Sequence, residues 1–463
     1  MKKTVSLFLI VSSLLGLFMF SACEKEEAPD PFEGVKTDAA YRSLAEMYSA
    51  MDALESYTVT STSNVKFAYL GVLFSVEEEI TDKVSGIGTD DFTYRREVFT
   101  EVDGGGSKVN SMNCDGYQKG YMYRRFSEDK LERKICSPIS YEDYIKYRSE
   151  TTPNPLVNIL YDESLTATAS VTEREDGGKT VTLSDFNEAF LKQFNKDMSV
   201  GGFGDLISLE SLTITIEMGA DKLYESSTVD YVMNLFDKEI EFTETATVSN
   251  VNSTYIKTYT FDSYTKISDI RLAEKVSRSI KEMLAADKIN AELAIDARFP
   301  SQDNSDWLYE KDSIIVDRSN GFEYEITSFA NGVNSKITYQ NGEKRIYTDQ
   351  NGTMQEVSVT VPQKLTEIVF IENLLDYGMF DPNYVTAIET NESGDIVITL
   401  DPSEAFKTKH PSPSSSYYID AVTITITMDG DNISVYQTDV VYDYRYNDEN
   451  AKKCTINAVC RFK

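Results

Sequence analysis

The residues of this chain of 463 whose types could carry catalysis stand in surroundings that argue against it. The single histidine, His410, lies in the run His410-Pro411-Ser412-Pro413-Ser414. A Ser-His-Asp or Cys-His relay would have to use it, and no Gly-x-Ser-x-Gly elbow is present. A histidine in such a loop is expected to be solvated. Gly104-Gly105-Gly106-Ser107-Lys108 shares residue types with a phosphate loop, but no Lys-Ser/Thr helix entry follows, so a hairpin turn is expected. Gly201-Gly202-Phe203-Gly204 reads as a connection. Met428-Asp429-Gly430-Asp431-Asn432 offers calcium-ligand types without the twelve-residue register, and reads as a turn. Among 76 acids, carboxylate pairs of the kind glycoside hydrolysis needs arise by coincidence. Cys114 and Cys136 fall in neighbouring hairpin strands, where a bridge is one alternative. Cys454 and Cys460 are six apart in one strand, roughly 20 Å, too far for a disulfide. No catalytic residue, metal or cofactor is expected.

Cys23 is the exception. Lys2-Lys3, an apolar run from Val5 to Phe20, and Ser21-Ala22 precede it. A positive start, an apolar stretch and small residues at a cut site form a secretory signal. Cysteine at the cut supplies a thiolate for acylation, and the segment resembles the lipobox of bacterial lipoproteins, with Phe20 where Leu or Val is commoner. The resemblance implies residues 1–22 as signal peptide and lipid on Cys23, which two or more acyl chains would hold stably in a membrane. Residues 23–36 carry charge and two prolines without hydrophobic periodicity, as a tether does.

The formal net charge of −31 becomes −33 once Lys2 and Lys3 are removed. Such a surface repels phosphate backbones and anionic headgroups, so nucleic acid is not an expected partner. The length calls for two domains. With 29 tyrosines and many Thr and Val, the chain favours antiparallel β structure.

Internal similarity divides it. DGGKTVTLSDFNEAF, from Asp176, parallels ESGDIVITLDPSEAF, from Glu392; LTITIEMGAD, from Leu212, parallels VTITITMDGD, from Val422. Leu44-Ala45-Glu46 parallels Leu272-Ala273-Glu274, and Phe92-Thr93-Tyr94 parallels Phe322-Glu323-Tyr324. The collinear series predicts one domain doubled, over 37–267 and 268–463. Each copy opens with an amphipathic helix: Leu44, Met47, Met51 and Leu54 in the first, Leu272, Val276, Ile280 and Met283 in the second. Thr37 or Asp38, and Ser268 or Asp269, offer their N-caps. Alternation along Leu212, Ile214, Ile216 and Met218, and along Val422, Ile424, Ile426 and Met428, marks an apolar face in each copy. A second helical cover is expected after Asp185 or Asp401 as N-cap, bringing Phe190 and Phe194, or Phe406, towards that face. The first continues as a helix; the second breaks at His410-Pro411.

Export, a leading helix, a one-sided apolar antiparallel sheet and an inserted helix together resemble the LolA/LppX lipoprotein-carrier superfamily. The Tyr117-x-x-Gly120-x-x-Tyr123 and Tyr339-x-x-Gly342 hairpins are similar to features of related lipoproteins. The resemblance implies an α+β, mainly antiparallel β fold: two tandem half-open β-barrel domains wrapping helices. It also implies a membrane-anchored, extracytoplasmic binder of an apolar or lipid-like ligand, with the two rows and their aromatic covers as the site. The alternative is a surface interaction lipoprotein with filled cores and an unknown protein partner.

Overall fold

The structure, a computed structural model, describes residues 32–463 apart from 70–71, 105–106, 129–130, 152–154, 192–206, 236–237, 285, 301–304, 320–322, 361–379, 404–405, 408–416 and 445–451. The chain divides into two units, with the boundary between Lys266 and Ile267.

In the first unit, helix α1 (Ala39–Asp52) leads into strands β1 (Ser56–Tyr69), β2 (Val72–Ser85), β3 (Thr93–Gly104), β4 (Ser107–Gln118), β5 (Tyr121–Glu128) and β6 (Leu131–Pro138). Helices α2 (Tyr141–Thr151) and α3 (Pro155–Tyr161) follow. Then come β7 (Thr168–Glu173), β8 (Lys179–Ser184), β9 (Ile207–Met218), β10 (Tyr224–Leu235) and β11 (Lys238–Ser249). The two-residue β12 (Thr265–Lys266) closes the unit. The second contains helix α4 (Ile270–Leu284), β13 (Lys288–Pro300), β14 (Ser305–Asp317), β15 (Glu323–Ala330), β16 (Val333–Gln340), β17 (Glu343–Gln350) and β18 (Thr353–Thr360). It ends with β19 (Val385–Thr390), β20 (Ile396–Leu400), β21 (Tyr417–Asp429), β22 (Asn432–Tyr444) and β23 (Lys452–Phe462).

Both sheets are built alike. The first has 12 strands in the order β12-β6-β5-β4-β3-β2-β1-β11-β10-β9-β8-β7, and the second has 11 in the order β18-β17-β16-β15-β14-β13-β23-β22-β21-β20-β19. In each, two antiparallel meanders join where the first strand pairs with the last, β1 with β11 and β13 with β23. Short connections suffice for such meanders. Hairpins use Lys119-Gly120 and Asn341-Gly342, both residues at positive φ, as two-residue turns matched to strand twist require.

The expected α+β half-open barrels are corrected. Each unit is an open, mainly β sheet: β7 and β12 end the first, β18 and β19 the second, with no ladder joining the ends among the described residues. Alternation in sequence states which face is apolar, whereas closure depends on strand number, tilt and stagger across the sheet. Open sheets still need covers. α1 packs on β7, β8 and β10, and α4 on β19 and β22. Leu44 and Met47 of α1, and Val276 of α4, are buried there.

Local capping was partly misread. Asp38 caps α1, accepting from the Ala40 amide at 2.8 Å, and Asp269 accepts from the Arg271 amide at 2.9 Å. In the duplicated Asp-x-x-Glu-Ala-Phe segments, however, the caps are Asn187 and Ser403, which accept from the amides of Phe190 and Phe406. Asp185 sits at φ 47, inside a turn, and so cannot begin the helix. Of the alternatives open for Cys114 and Cys136, the structure shows free thiols. Cys114 lies on β4 and Cys136 on β6 with β5 between them, about 9.5 Å apart by strand spacing, and both thiols are free. Cys454 and Cys460 are free and buried.

The connection after β11 covers the outer face of β3–β6. Asn252 is tied to β1 through its amide to Ser56 O at 2.7 Å, and its Oδ1 accepts from the Glu55 amide. Tyr259, Phe261 and Tyr264 then pack on Cys114, Tyr123 and Cys136. Arg95 stands over the Tyr259 ring, 4.1 Å from its centroid. The run finishes as β12, parallel to β6.

Candidate functional site

The two apolar rows are the interior of their units. Leu212, Ile214, Ile216 and Met218 are each at most 4% exposed, as are Val422, Ile424 and Ile426; Met428, at the strand end, is half-buried. Leu212 lies opposite Tyr231, and Ile214 between Val229 and Leu183. Ile424 lies between Thr438 and Ile398. Phe190 is buried and stacks on Phe186 with ring centroids 4.4 Å apart. Phe406 is buried edge-on to Tyr384 at 5.2 Å. Phe194 and Cys23 fall outside the described residues, as do His410 and the 201–204 glycine run. Among the described residues there is no metal-holding cluster, and no helix is long and apolar enough to cross a membrane.

The remaining half of each inner face, over the first meander, separates the copies. Val84, Tyr94 and Tyr117 stand in line across β2, β3 and β4; Val316, Tyr324 and Tyr339 do so across β14, β15 and β16. This fixes the correspondence of positions. Two residues further along each strand, the first unit carries Asp82, Arg96, Asp115 and Arg124 in one cross-strand row. At the same places the second unit carries Ile314, Ile326, Ile337 and Ile346. A row of alternating charge has become a row of isoleucines.

In the first unit that row is tied to helix α2. Ser140 caps the helix: its Oγ accepts from the Asp143 amide and donates to Asp143 Oδ2. Four residues apart, Tyr144 and Arg148 share a face. Tyr144 stacks on Tyr117 at 4.6 Å, and the Arg148 guanidinium lies 5.1 Å from the centre of the Tyr94 ring. Tyr94 donates to Asp82 Oδ1 at 2.7 Å, Arg96 pairs with Asp82 at 3.7 Å, and Arg124 with Asp115 at 2.7 Å. Burial raises the Asp82 pKa, and Arg96, the Tyr94 hydroxyl and Arg148 oppose that rise. The helix meets the sheet through the Tyr144–Tyr117 stack and Arg148 over Tyr94, beside the ion pairs within the sheet.

A second polar group lies on the same inner face. Ser63 of β1 pairs with Glu78 on one side and Glu244 on the other. Thr100 donates to Glu78 Oε2 at 3.1 Å, and Tyr231 donates to Glu244 Oε1 at 3.0 Å. Both carboxyls are buried, at 5% and 1% exposed. Burial pushes the Glu244 pKa up to about 8; the Tyr231 hydrogen bond opposes this, and the nearby Glu78 charge adds to it.

None of these polar residues was singled out from sequence. The signal was present as Val76, Glu78, Ile80, Asp82 and Val84, every second residue of β2, all buried. An acidic strand ordinarily turns its charges outward, so the pattern reads as a solvated face until cross-strand partners are known.

No described protein family matches the chain, and no curated protein resembles it significantly in sequence. Among solved structures, the lipoprotein LppX of Mycobacterium tuberculosis aligns at 10% identity and a TM-score of 0.26, covering 48% of this chain and 99% of that one. A putative AttH from Nitrosomonas europaea aligns at 9% identity and a TM-score of 0.14, covering 87% and 92%. A DUF3598 protein of unknown function from Nostoc punctiforme aligns at 5% identity and a TM-score of 0.13, covering 92% and 99%.

Proposed function

We propose that this chain is an extracytoplasmic lipoprotein, anchored through lipid on Cys23, that binds an apolar, lipid-like ligand on the inner face of its second unit and catalyses no reaction. The cross-strand row Ile314–Ile326–Ile337–Ile346 carries the reading. Ile314 and Ile326 are buried and Ile337 and Ile346 half-buried, so the row grades from closed core to accessible apolar surface. Each buried methylene of a guest contributes about 0.8 kcal/mol, enough for a long chain to bind without a charged partner. The Val422 row of the same unit, already covered by its own elements, lies on the same face of that sheet.

The test is to extract the full chain purified from membranes and analyse the extract by mass spectrometry. Stoichiometric lipid in the unaltered protein and its loss in Ile346→Asp support the reading; Ile346 is half-buried, so the substitution spares the core. Absence of lipid, or its retention in the variant, removes it. Anchoring is tested separately by Cys23→Ser, which is expected to release the protein into the soluble extracytoplasmic fraction.

The closed rows favour a second reading, a surface interaction protein with filled cores and a protein partner. It gains if the extract is empty while the chain stays surface-bound.

A further inference from the structure

We infer that the first unit holds a separate recognition site for a protonated amine, formed by Glu244, Glu78 and Tyr231 on the inner face of its sheet. The inference rests on the proposed reading that the chain binds lipid-like ligands, and extends it to the first unit with the chemistry of a head group.

Glu78, Ser63 and Glu244 follow one another across β2, β1 and β11, and cross-strand neighbours project from the same face. Two carboxyls thereby flank one small serine, with their strands about 9.5 Å apart. Glu244 Oε1 accepts a hydrogen bond from the Tyr231 hydroxyl, whereas Glu244 Oε2 is buried with no hydrogen-bond partner among the described residues. No lysine or arginine pairs with Glu244 there either. A buried carboxyl oxygen in that state costs roughly 1–3 kcal/mol, more if ionised, and calls for an explanation.

The second unit shows that the fold does not require this arrangement. By the correspondence fixed above, Ile295 stands for Ser63, Ala458 for Glu244 and Val440 for Tyr231. Of the four polar residues only Glu78 keeps its type, as Glu310, where Ser328 donates to it at 3.3 Å. One sequence thus builds the same sheet twice, once with the acidic pair and once without.

An ammonium group brings three donors and a positive charge, complementing Glu244 Oε2 and the acidic pair together. Tyr231 lies directly opposite Leu212, the first member of the apolar row, so a head group at Glu244 places its hydrocarbon against β9 and β10. The ligand class is a single-chain amphiphile with a primary amine head.

The experiment titrates the full chain at pH 9, above the Glu244 pKa of about 8 and where an alkylamine is still protonated, by calorimetry, with dodecylamine, dodecanol and dodecanoate below their solubility or micelle limits. Dodecylamine is expected to bind at least about tenfold more tightly than dodecanol, and Glu244→Gln to bring the two within about twofold. Glu244→Ala installs the residue found in the second unit and serves as the second variant; thermal melting shows that each remains folded. Equal affinity for amine and alcohol in the unaltered protein, or a preference that survives both variants, overturns the inference and leaves the apolar-ligand reading standing. Failure of all three chains to bind overturns both.

Discussion

Tyr94 and Asp82 are joined by a 2.7 Å hydrogen bond inside the first sheet, where the second sheet places Tyr324 beside Ile314. The tyrosine is kept and its partner is not. With Asp82 comes Arg96, so loss of the acid would leave a buried guanidinium without its ion-pair partner and remove a charge that also acts on the helix-borne Arg148. In the second unit the corresponding row is isoleucine throughout and holds no guanidinium to strand.

Asp82→Ala is therefore expected to cost about 3–5 kcal/mol, since removing one partner of a buried ionic group leaves the others desolvated and unpaired. Urea unfolding followed by circular dichroism measures this. Adding Arg96→Ile to Asp82→Ile should recover about 1 kcal/mol or more of the single-variant loss. Strict additivity would show that the pair is not coupled.

Glu244 gives stability a pH dependence with a defined sign. Its pKa of about 8 in the folded chain lies above the unfolded value, so the native state holds an extra proton between about pH 4.5 and 8. The stability this group contributes is full below that window and is lost as pH rises through it. Asp82 and Asp312 shift in the same direction, so the informative quantity is a difference between proteins. The melting temperature of Glu244→Gln relative to the parent should rise from pH 5 to pH 8. A constant offset would mean that Glu244 titrates normally.

Gly116 is held to glycine by contact. A Cβ there would lie 2.3 Å from Tyr94 O and 2.6 Å from the Tyr123 hydroxyl. Gly116→Ala is expected to destabilise the first unit by about 1–3 kcal/mol through overpacking. It should also loosen Tyr259, Phe261 and Tyr264, which pack on Tyr123, and faster amide exchange across 255–266 would report it.

Asn187, rather than Asp185, caps the short helix that carries Phe190. Asn187→Ala should cost about 1–2 kcal/mol, because its side chain also accepts from the Thr166 amide and donates to Ser164 O. Chemical denaturation measures the loss. A change below a few tenths would show that the Asn187 side chain contributes nothing as a cap.

What the sequence determined by itself are local and repeated properties. Alternation along Leu212–Met218 and Val422–Met428 states which side of each strand is apolar, because the side-chain period of a strand is two whatever its neighbours. The Asp38 cap and the Asn341-Gly342 turn are legible for the same reason, each needing only a few adjacent residues. Tertiary structure alone decided what lies across from what. The rows Asp82–Arg96–Asp115–Arg124 and Ile314–Ile326–Ile337–Ile346 draw each member from a different strand, and Glu78 meets Glu244 through residues far apart in the chain. Open sheets in place of half-open barrels follow from the same cause, because pairing between edge strands depends on stagger accumulated across eleven or twelve strands. Registers of that kind are set by long-range packing, and a strand read singly holds no record of its partner.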